Sequence, residues 1–282
     1  MSDVVRASER HVDPIAPESE PRIHADLREL PDRDDYLERN RTAWDRWSKS
    51  HIVDGRRAWQ SDELRWGLWG TRESELGLLA GFDSGEDVIE LGCGTGALSA
   101  WFARLHLRPV AVDFARSQLR GAESFQDEFG IWFPTVAENA EQVSFDNASF
   151  DLAVSEYGVS LWSDPRRWLV EAHRLLRPEG RLVFVTSSPL LVSCTPSDGS
   201  VAQDRLVRDH FGRFRVEFEE NGPVEFHLTH GHWVHLLRAI GFVVDELVEV
   251  RPHPAASPRY GLVTPSWAQR WPSEDIWVAH KV

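Results

Sequence analysis

Residues 88–97 read VIELGCGTGA, and this run limits the fold more sharply than any other part of the chain. A short apolar strand pattern runs into three closely spaced glycines, and the next residues, GALSAWFARL, carry helical spacing. Glycines at such a turn adopt backbone conformations that side chains forbid and let a ligand approach the main chain closely. The amides that open the helix favour a carboxylate or a phosphate. Strand, glycine turn and helix in this order begin a parallel sheet whose ligand site lies at the carboxyl ends of its strands.

The rest of the chain repeats the alternation. Strand patterns occur at RPVAVD (108–113), WFPTVAE (132–138), FDLAVSE (150–156) and RLVFVTSS (181–188), with helical patterns at 115–130 and 164–176 between them. Short apolar runs separated by amphipathic helices predict a sheet covered on both faces. Further strands are expected at 242–250 and 275–282, an extra one at 224–230, and a helix over 231–241. The fold class is therefore α/β: a Rossmann-like, seven-stranded, mostly parallel sheet with helices on both faces and an N-terminal helical cap. Residues 1–34, rich in Pro, Asp, Glu and Ser without periodicity, read as a mobile tail. Residues 35–80 form the cap or lid, and 81–282 the main domain. The latter carries an insertion over 189–230, irregular through 222, on the substrate side.

In the cap, Leu37, Trp44, Trp47 and His51 fall on one helical stripe, with Gly55 a stop signal. Five tryptophans, Trp44, Trp47, Trp59, Trp66 and Trp69, precede the first sheet strand. Aromatic residues mostly bury, so three of the five are expected to weld the cap to the sheet. The others would form an aromatic wall for a planar or cationic molecule.

Composition narrows the partners. The 282 residues carry a formal net charge of -14, and no basic patch interrupts it, which argues against nucleic acid and anionic membranes. Cys93 and Cys194 lack metal-ligand spacing and read as free thiols of a reducing compartment. No run of about 18 apolar residues occurs, and no apolar signal core opens the chain. A cytoplasmic protein is expected.

The glycine turn alone is ambiguous. Gly92, Gly94 and Ala97 also satisfy the dinucleotide spacing, and Asp113 at the end of the second strand would bond ribose hydroxyls with either ligand. Glu90 separates the two readings. A buried acid aimed at the turn suits an ammonium group and repels a pyrophosphate. In sequence the run resembles the class I S-adenosylmethionine-dependent methyltransferases at five places: ELGCGTG (90–96), VAVD (110–113), NAEQVSFDNASFD (139–151), SEYGVSLWSDP (155–165) and LLRPEGRLVF (175–184). That resemblance implies S-adenosylmethionine as cofactor and S-adenosylhomocysteine as product. It implies that Glu90 and the loop residues Gly92, Cys93 and Gly94 face the methionine end. Asp113 would hold the ribose, Phe114 stack on adenine, Asn139 and Ala140 read its edge, and Glu156 lie at the mouth. Position 139 is Asn where the family more often has Asp. Tyr36 is implied to cover the methionine end from the cap helix.

On the acceptor side the expected catalytic groups are His51, Tyr157, His230 and His232. The last two come from the histidine-rich HLTHGHWVH (227–235), which has no Cys, Asp or Glu within it, so no metal is expected. The predicted function is methyl transfer to O, N or C of a small metabolite, an aromatic one among the candidates. A nucleoside-binding regulatory protein without turnover and an NAD(P)-dependent oxidoreductase are the alternatives. The partner is a small-molecule acceptor, and the insertion is placed either around it or against a second subunit of a homodimer.

Overall fold

The computed structural model describes residues 35–212, 214–217 and 222–282; the tail expected over 1–34 lies outside them. Helix α1 (Asp35–Trp59) opens the fold, with acids in its first turn and Arg56 and Arg57 in its last, as the helix dipole favours. A small hairpin, β1 (Arg65–Trp66) and β2 (Thr71–Arg72), and the short α2 (Glu73–Leu76) follow. Then come β3 (Asp87–Leu91), α3 (Ala97–Arg104), β4 (Arg108–Val112), α4 (Arg116–Phe129) and β5 (Thr135–Val136). The second half continues with β6 (Phe150–Glu156), α5 (Val159–Trp162), α6 (Pro165–Leu175), β7 (Leu176–Ser187) and α7 (Pro189–Cys194). It closes with β8 (Arg215–Glu217), β9 (Val224–Phe226), α8 (His230–Ile240), β10 (Phe242–Glu249), α9 (Pro265–Ala268) and β11 (Glu274–Lys281).

Seven strands form the main sheet in the order β10-β11-β7-β6-β3-β4-β5. The pairs among β5, β4, β3, β6 and β7 are parallel, and β11 lies antiparallel between β7 and β10. The expected Rossmann-like α/β sheet is thus present. The chain winds outward from β3 in one direction, then returns to its other side with β6. That reversal leaves a crevice at the carboxyl ends of β3 and β6, where such sheets bind ligands. The central strands are buried along nearly their whole length, which explains their uninterrupted apolar runs.

Some boundaries differ from the sequence reading. The third strand shrinks to Thr135–Val136 at the sheet edge. The extra strand over 224–230 is only Val224–Phe226, paired with β8 in a separate two-stranded sheet, and α8 already begins at His230. Gly55 does not stop the cap helix, which continues to Trp59. It serves close packing instead: a Cβ at Gly55 would lie 2.3 Å from the Thr95 hydroxyl oxygen in the glycine turn. Two groups seal that approach. The Trp59 indole N–H donates to the Thr95 carbonyl at 2.9 Å, and Arg104 donates to the Trp59 carbonyl at 2.7 Å. At its other end α1 is held by buried Asn40. Its side-chain amide donates to the carbonyls of Trp162 and Val224 and accepts from the Val224 N–H. Trp59, Trp66 and Trp69 are buried in the core. No helix among the described residues is long and apolar enough to cross a membrane.

Gly55→Ala provides a direct test of this packing. Helix propensity alone would favour alanine by about 1 kcal/mol. The methyl must displace Thr95, so a net loss of about 1–3 kcal/mol is expected, read as a lower urea midpoint. A more stable variant would show that α1 does not press on the turn.

Candidate active site at the carboxyl edge of the sheet

Two turns meet where the winding reverses. The β3–α3 turn carries Gly92, Gly94 and Gly96, all at positive φ (75°, 54° and 70°). A Cβ on Gly92 would lie 2.8 Å from the Val159 amide nitrogen, and one on Gly158 would lie 2.5 Å from the Gly92 carbonyl oxygen. Glycine is therefore demanded on both sides, and the floor of the crevice is bare backbone.

Around this floor the residues converge on one cavity of about 580 Å3, within the usual range of small-molecule sites. Glu90, from β3, is buried and accepts from the Ser99 amide at 2.9 Å and the Ser99 hydroxyl at 2.5 Å. Burial pushes its carboxyl up to about 8, against the opposing effect of those two bonds. Asp113 follows β4, accepts from the amides of Gly94 (2.9 Å) and Ala115 (2.8 Å), and is pushed up to about 6 by burial. Phe114 presents its ring beside Asp113, with the Arg41 guanidinium 5.7 Å from its centre. Asn139 accepts from the Glu141 amide through Oδ1, which leaves its Nδ2 as a donor. Cys93 and Ala140 complete this lobe, and burial raises the Cys93 thiol well above its ordinary value.

The second lobe lies under α1. Trp44, Trp47, His51 and Trp162 line it, with the His51 ring 4.6 Å from Trp44 and 5.9 Å from Tyr260. Burial lowers the His51 pKa, outweighing nearby Asp54. Glu156 accepts from the Gly67 amide (2.7 Å) and from Arg259 (3.0 Å), so its carboxylate is engaged at the mouth. Tyr157 lines the cavity, and its hydroxyl donates to Glu274 at 2.9 Å. Fully buried Glu274 also accepts from the Leu68 amide at 2.6 Å and is pushed up to about 7, mainly by burial.

The structure brings Glu90, Gly92, Cys93, Gly94, Asp113, Phe114, Asn139, Ala140, Glu156, Tyr157 and His51 to the same cavity. Three expected residues stand elsewhere. Tyr36 is buried, donates its hydroxyl to Glu141 and packs edge-on against Phe226, so it fastens α1 instead of covering the glycine turn. His230 pairs with buried Asp275 at 2.7 Å beside the β10–β11 edge, and Asp275 raises its pKa. His232 is buried in the first turn of α8, away from the cavity lining. The acids missing near these histidines in sequence arrive by folding: Glu249 and Asp275 place carboxylate oxygens within 4.8 Å of a His230 nitrogen.

In their place the cavity takes Glu225 and His227, joined at 2.7 Å. Their alternation with Val224, Phe226 and Leu228 is a period-two signal that puts both polar side chains on one face. Arg259, Tyr260 and Trp162 also line the cavity. The first two come from a proline-rich stretch without periodicity, where the sequence offered no such signal.

The donor set fits a nucleoside with a cationic tail. Asp113 can accept from two adjacent hydroxyls, Asn139 Nδ2 can donate to a heterocycle, and Glu90 sits at the acidic end. Buried Gln118 has both amide atoms unpartnered, its Oε1 3.9 Å from where a Gly94 Cβ would be. Among the described residues the lining contains one arginine, Arg259, already bound to Glu156, and no lysine. That leaves no uncommitted basic side chain for a pyrophosphate.

Residues 89–184 match the family model described as a methyltransferase domain. Among curated proteins, the chain is similar to a malonyl-acyl-carrier-protein O-methyltransferase of Hahella chejuensis. The two are 35% identical over 36% of this chain and 36% of that protein. It is also similar to a demethylmenaquinone methyltransferase of Clavibacter sepedonicus, at 34% identity over 36% of this chain and 41% of that protein. The matches span less than half the length of these relatives. Among solved structures, an S-adenosylmethionine-dependent methyltransferase from Mesorhizobium loti superposes with a TM-score of 0.61 at 23% identity, covering 76% of this chain and 100% of that one. A 1,6-didemethyltoxoflavin-N1-methyltransferase from Burkholderia thailandensis, with bound 1,6-didemethyltoxoflavin and S-adenosylhomocysteine, gives 0.56 at 21% identity, covering 90% and 92%. Residues 89–184 thus match a methyltransferase domain, and the fold around them is shared with these solved structures.

Glu90, Asp113 and Glu274 are all raised above the ordinary carboxylate range. The folded protein therefore retains protons that the unfolded chain gives up. This stabilisation is complete at pH values below the unfolded carboxylate range and is lost as pH climbs toward about 8. Urea unfolding from about pH 5 to 8.5 should show falling stability, with a shallower slope in Glu90→Gln. An unchanged slope would mean that Glu90 is ionised throughout.

Proposed function

We propose that this chain transfers a methyl group from S-adenosylmethionine to a small organic acceptor, the two ligands occupying the two lobes of one cavity. The observation that carries this reading is the donor lobe, where acids surround a bare glycine floor without an uncommitted cation. Glu90, which a cation beside it would deprotonate, would favour the positively charged methionine end, Asp113 the ribose hydroxyls, Asn139 and Ala140 the adenine edge, and Phe114 the adenine face. The cofactor brings an activated methyl group, so the protein's task is chiefly positioning, which is worth up to about 7–11 kcal/mol in favourable systems. The α1 wall and the carboxyl end of β6 enclose the acceptor and exclude water, which strengthens the electrostatics between them. An acceptor that must lose a proton has a base within the lobe: burial keeps His51 neutral near pH 7 and able to take one.

Thermal unfolding with saturating S-adenosylhomocysteine tests the donor site. The melting temperature should rise by several degrees, and Asp113→Ala should remove most of the rise. NAD(P) should give none, because Glu90 and Asp113 crowd the turn whose amides would otherwise hold a pyrophosphate. A shift with the dinucleotide alone would reverse the reading in favour of an oxidoreductase. Release of S-adenosylhomocysteine from S-adenosylmethionine across an acceptor screen separates an enzyme from a regulatory binder. The screen should give product, and His51→Gln should slow turnover while leaving S-adenosylhomocysteine affinity within about twofold.

A further inference from the structure

The lobe under α1 has its own chemistry. Trp44, Trp47 and Trp162 line it as one cluster, with ring centres 5.2 Å (Trp44–Trp162), 5.6 Å (Trp44–Trp47) and 5.9 Å (Trp47–Trp162) apart. All three remain partly exposed, so indole surface faces the cavity. Glu225 lines the same cavity. Its Oε2 meets His227, and its Oε1 has no hydrogen-bond partner among the described residues.

Wall and carboxylate belong to one rigid frame. The Asn40 amide bonds the carbonyl of Trp162 and both backbone groups of Val224, the residue before Glu225. These bonds tie the backbone of Trp162 to that of Val224, next to Glu225.

Among the described residues, acids outnumber cations around the cavity. Asp54, Asp198 and Glu225 line it, and Arg259 is held by Glu156. Arg208 influences Glu225 electrostatically from outside the lining, with its Nε and Nη2 donated to the carbonyls of Thr195 and Pro196. A carboxylate or phosphate ligand would meet Glu225 and Asp198 with no uncommitted cation beside them. An ammonium group would meet indole surface, which attracts cations, and an open carboxylate oxygen.

We infer that the acceptor lobe takes a small organic amine with an apolar body, its ammonium group held between the Trp44–Trp47–Trp162 wall and the Glu225 carboxylate. This rests on the reading of the other lobe as the S-adenosylmethionine site. It adds a class of acceptor that neither the family match nor the names of the similar proteins above specify.

The test is isothermal titration in two steps. The protein is first titrated with S-adenosylhomocysteine; failure to bind overturns the methyltransferase reading itself. The loaded protein is then titrated with phenethylamine, phenethyl alcohol and 3-phenylpropionate, which share an aromatic body and differ in charge. The amine should bind about tenfold more tightly than the alcohol, and the acid more weakly than either. In Glu225→Gln the preference for amine over alcohol should fall to about threefold or less, with S-adenosylhomocysteine affinity retained. Trp162→Leu should weaken the amine more than the alcohol. If S-adenosylhomocysteine binds while the amine binds no better than the alcohol, or shows no binding at about 10 mM, the amine assignment falls and the methyltransferase reading stands.

Discussion

The contact on which the rest of the structure depends is that between Gly55 of α1 and Thr95 of the glycine turn. Backbone meets side chain so closely that a single methyl group would not fit. Trp59 and Arg104 then lock the two segments with bonds to main-chain carbonyls. The cap is consequently not a separate layer resting on the sheet. It is built onto the ligand turn, and the Trp44–Trp47 wall is carried by the same helix. Anything that shifts α1 shifts both lobes of the cavity.

A second constraint is electrostatic. Glu90, Asp113, Glu156 and Glu274 gather near the carboxyl edge of the sheet, all with raised pKa values, and burial is the leading cause each time. Backbone amides of Ser99, Gly94, Ala115, Gly67 and Leu68 satisfy part of their bonding. The concentration of acid still costs stability at neutral pH. The large buried aromatic groups offset it: Trp59, Trp66, Trp168, Trp233 and Trp277 are all fully buried. The tryptophan-rich composition and the acidic site are thus two sides of one arrangement, in which a strongly apolar interior supports a set of buried acids.

The sheet and the donor lobe were legible in the sequence because both are local. The glycine turn, Glu90 and Asp113 each sit at a strand end whose apolar run marks it, and the winding rules place those ends together. The lobe under α1 was only half legible. Trp44, Trp47 and His51 share a helical stripe, so they could be read together. Glu225 and His227 join them through a two-stranded sheet that lies apart from the main one, and Arg259 arrives from a proline-rich stretch tied to Leu68 by a backbone bond. Tyr36 misled because a tyrosine near the start of a cap helix gives no hint of facing Glu141 and Phe226. His230 and His232 misled for a similar reason. Their cluster is dense along the chain, but α8 turns them toward the β10–β11 edge and into the helix packing. Gly55 is the clearest case, since a helix-stop signal and a close-contact glycine look identical until the neighbour is known.

The span of α1 between its wall and its glycine also acts as a ruler. Trp44 and Gly55 stand eleven positions apart along the helix, a rise of roughly 16 Å. With Gly55 clamped on the turn and Asn40 clamped on Val224 and Trp162, that length fixes how far the aromatic wall stands from the glycine floor. One residue added or removed between them would rotate the wall by about 100° around the helix axis and detach one clamp or the other. Descendants of this sequence are thus free to change which molecule the wall admits by exchanging side chains along α1. The number of residues in the helix is not open to change in the same way, because it sets the distance between the glycine floor and the aromatic wall.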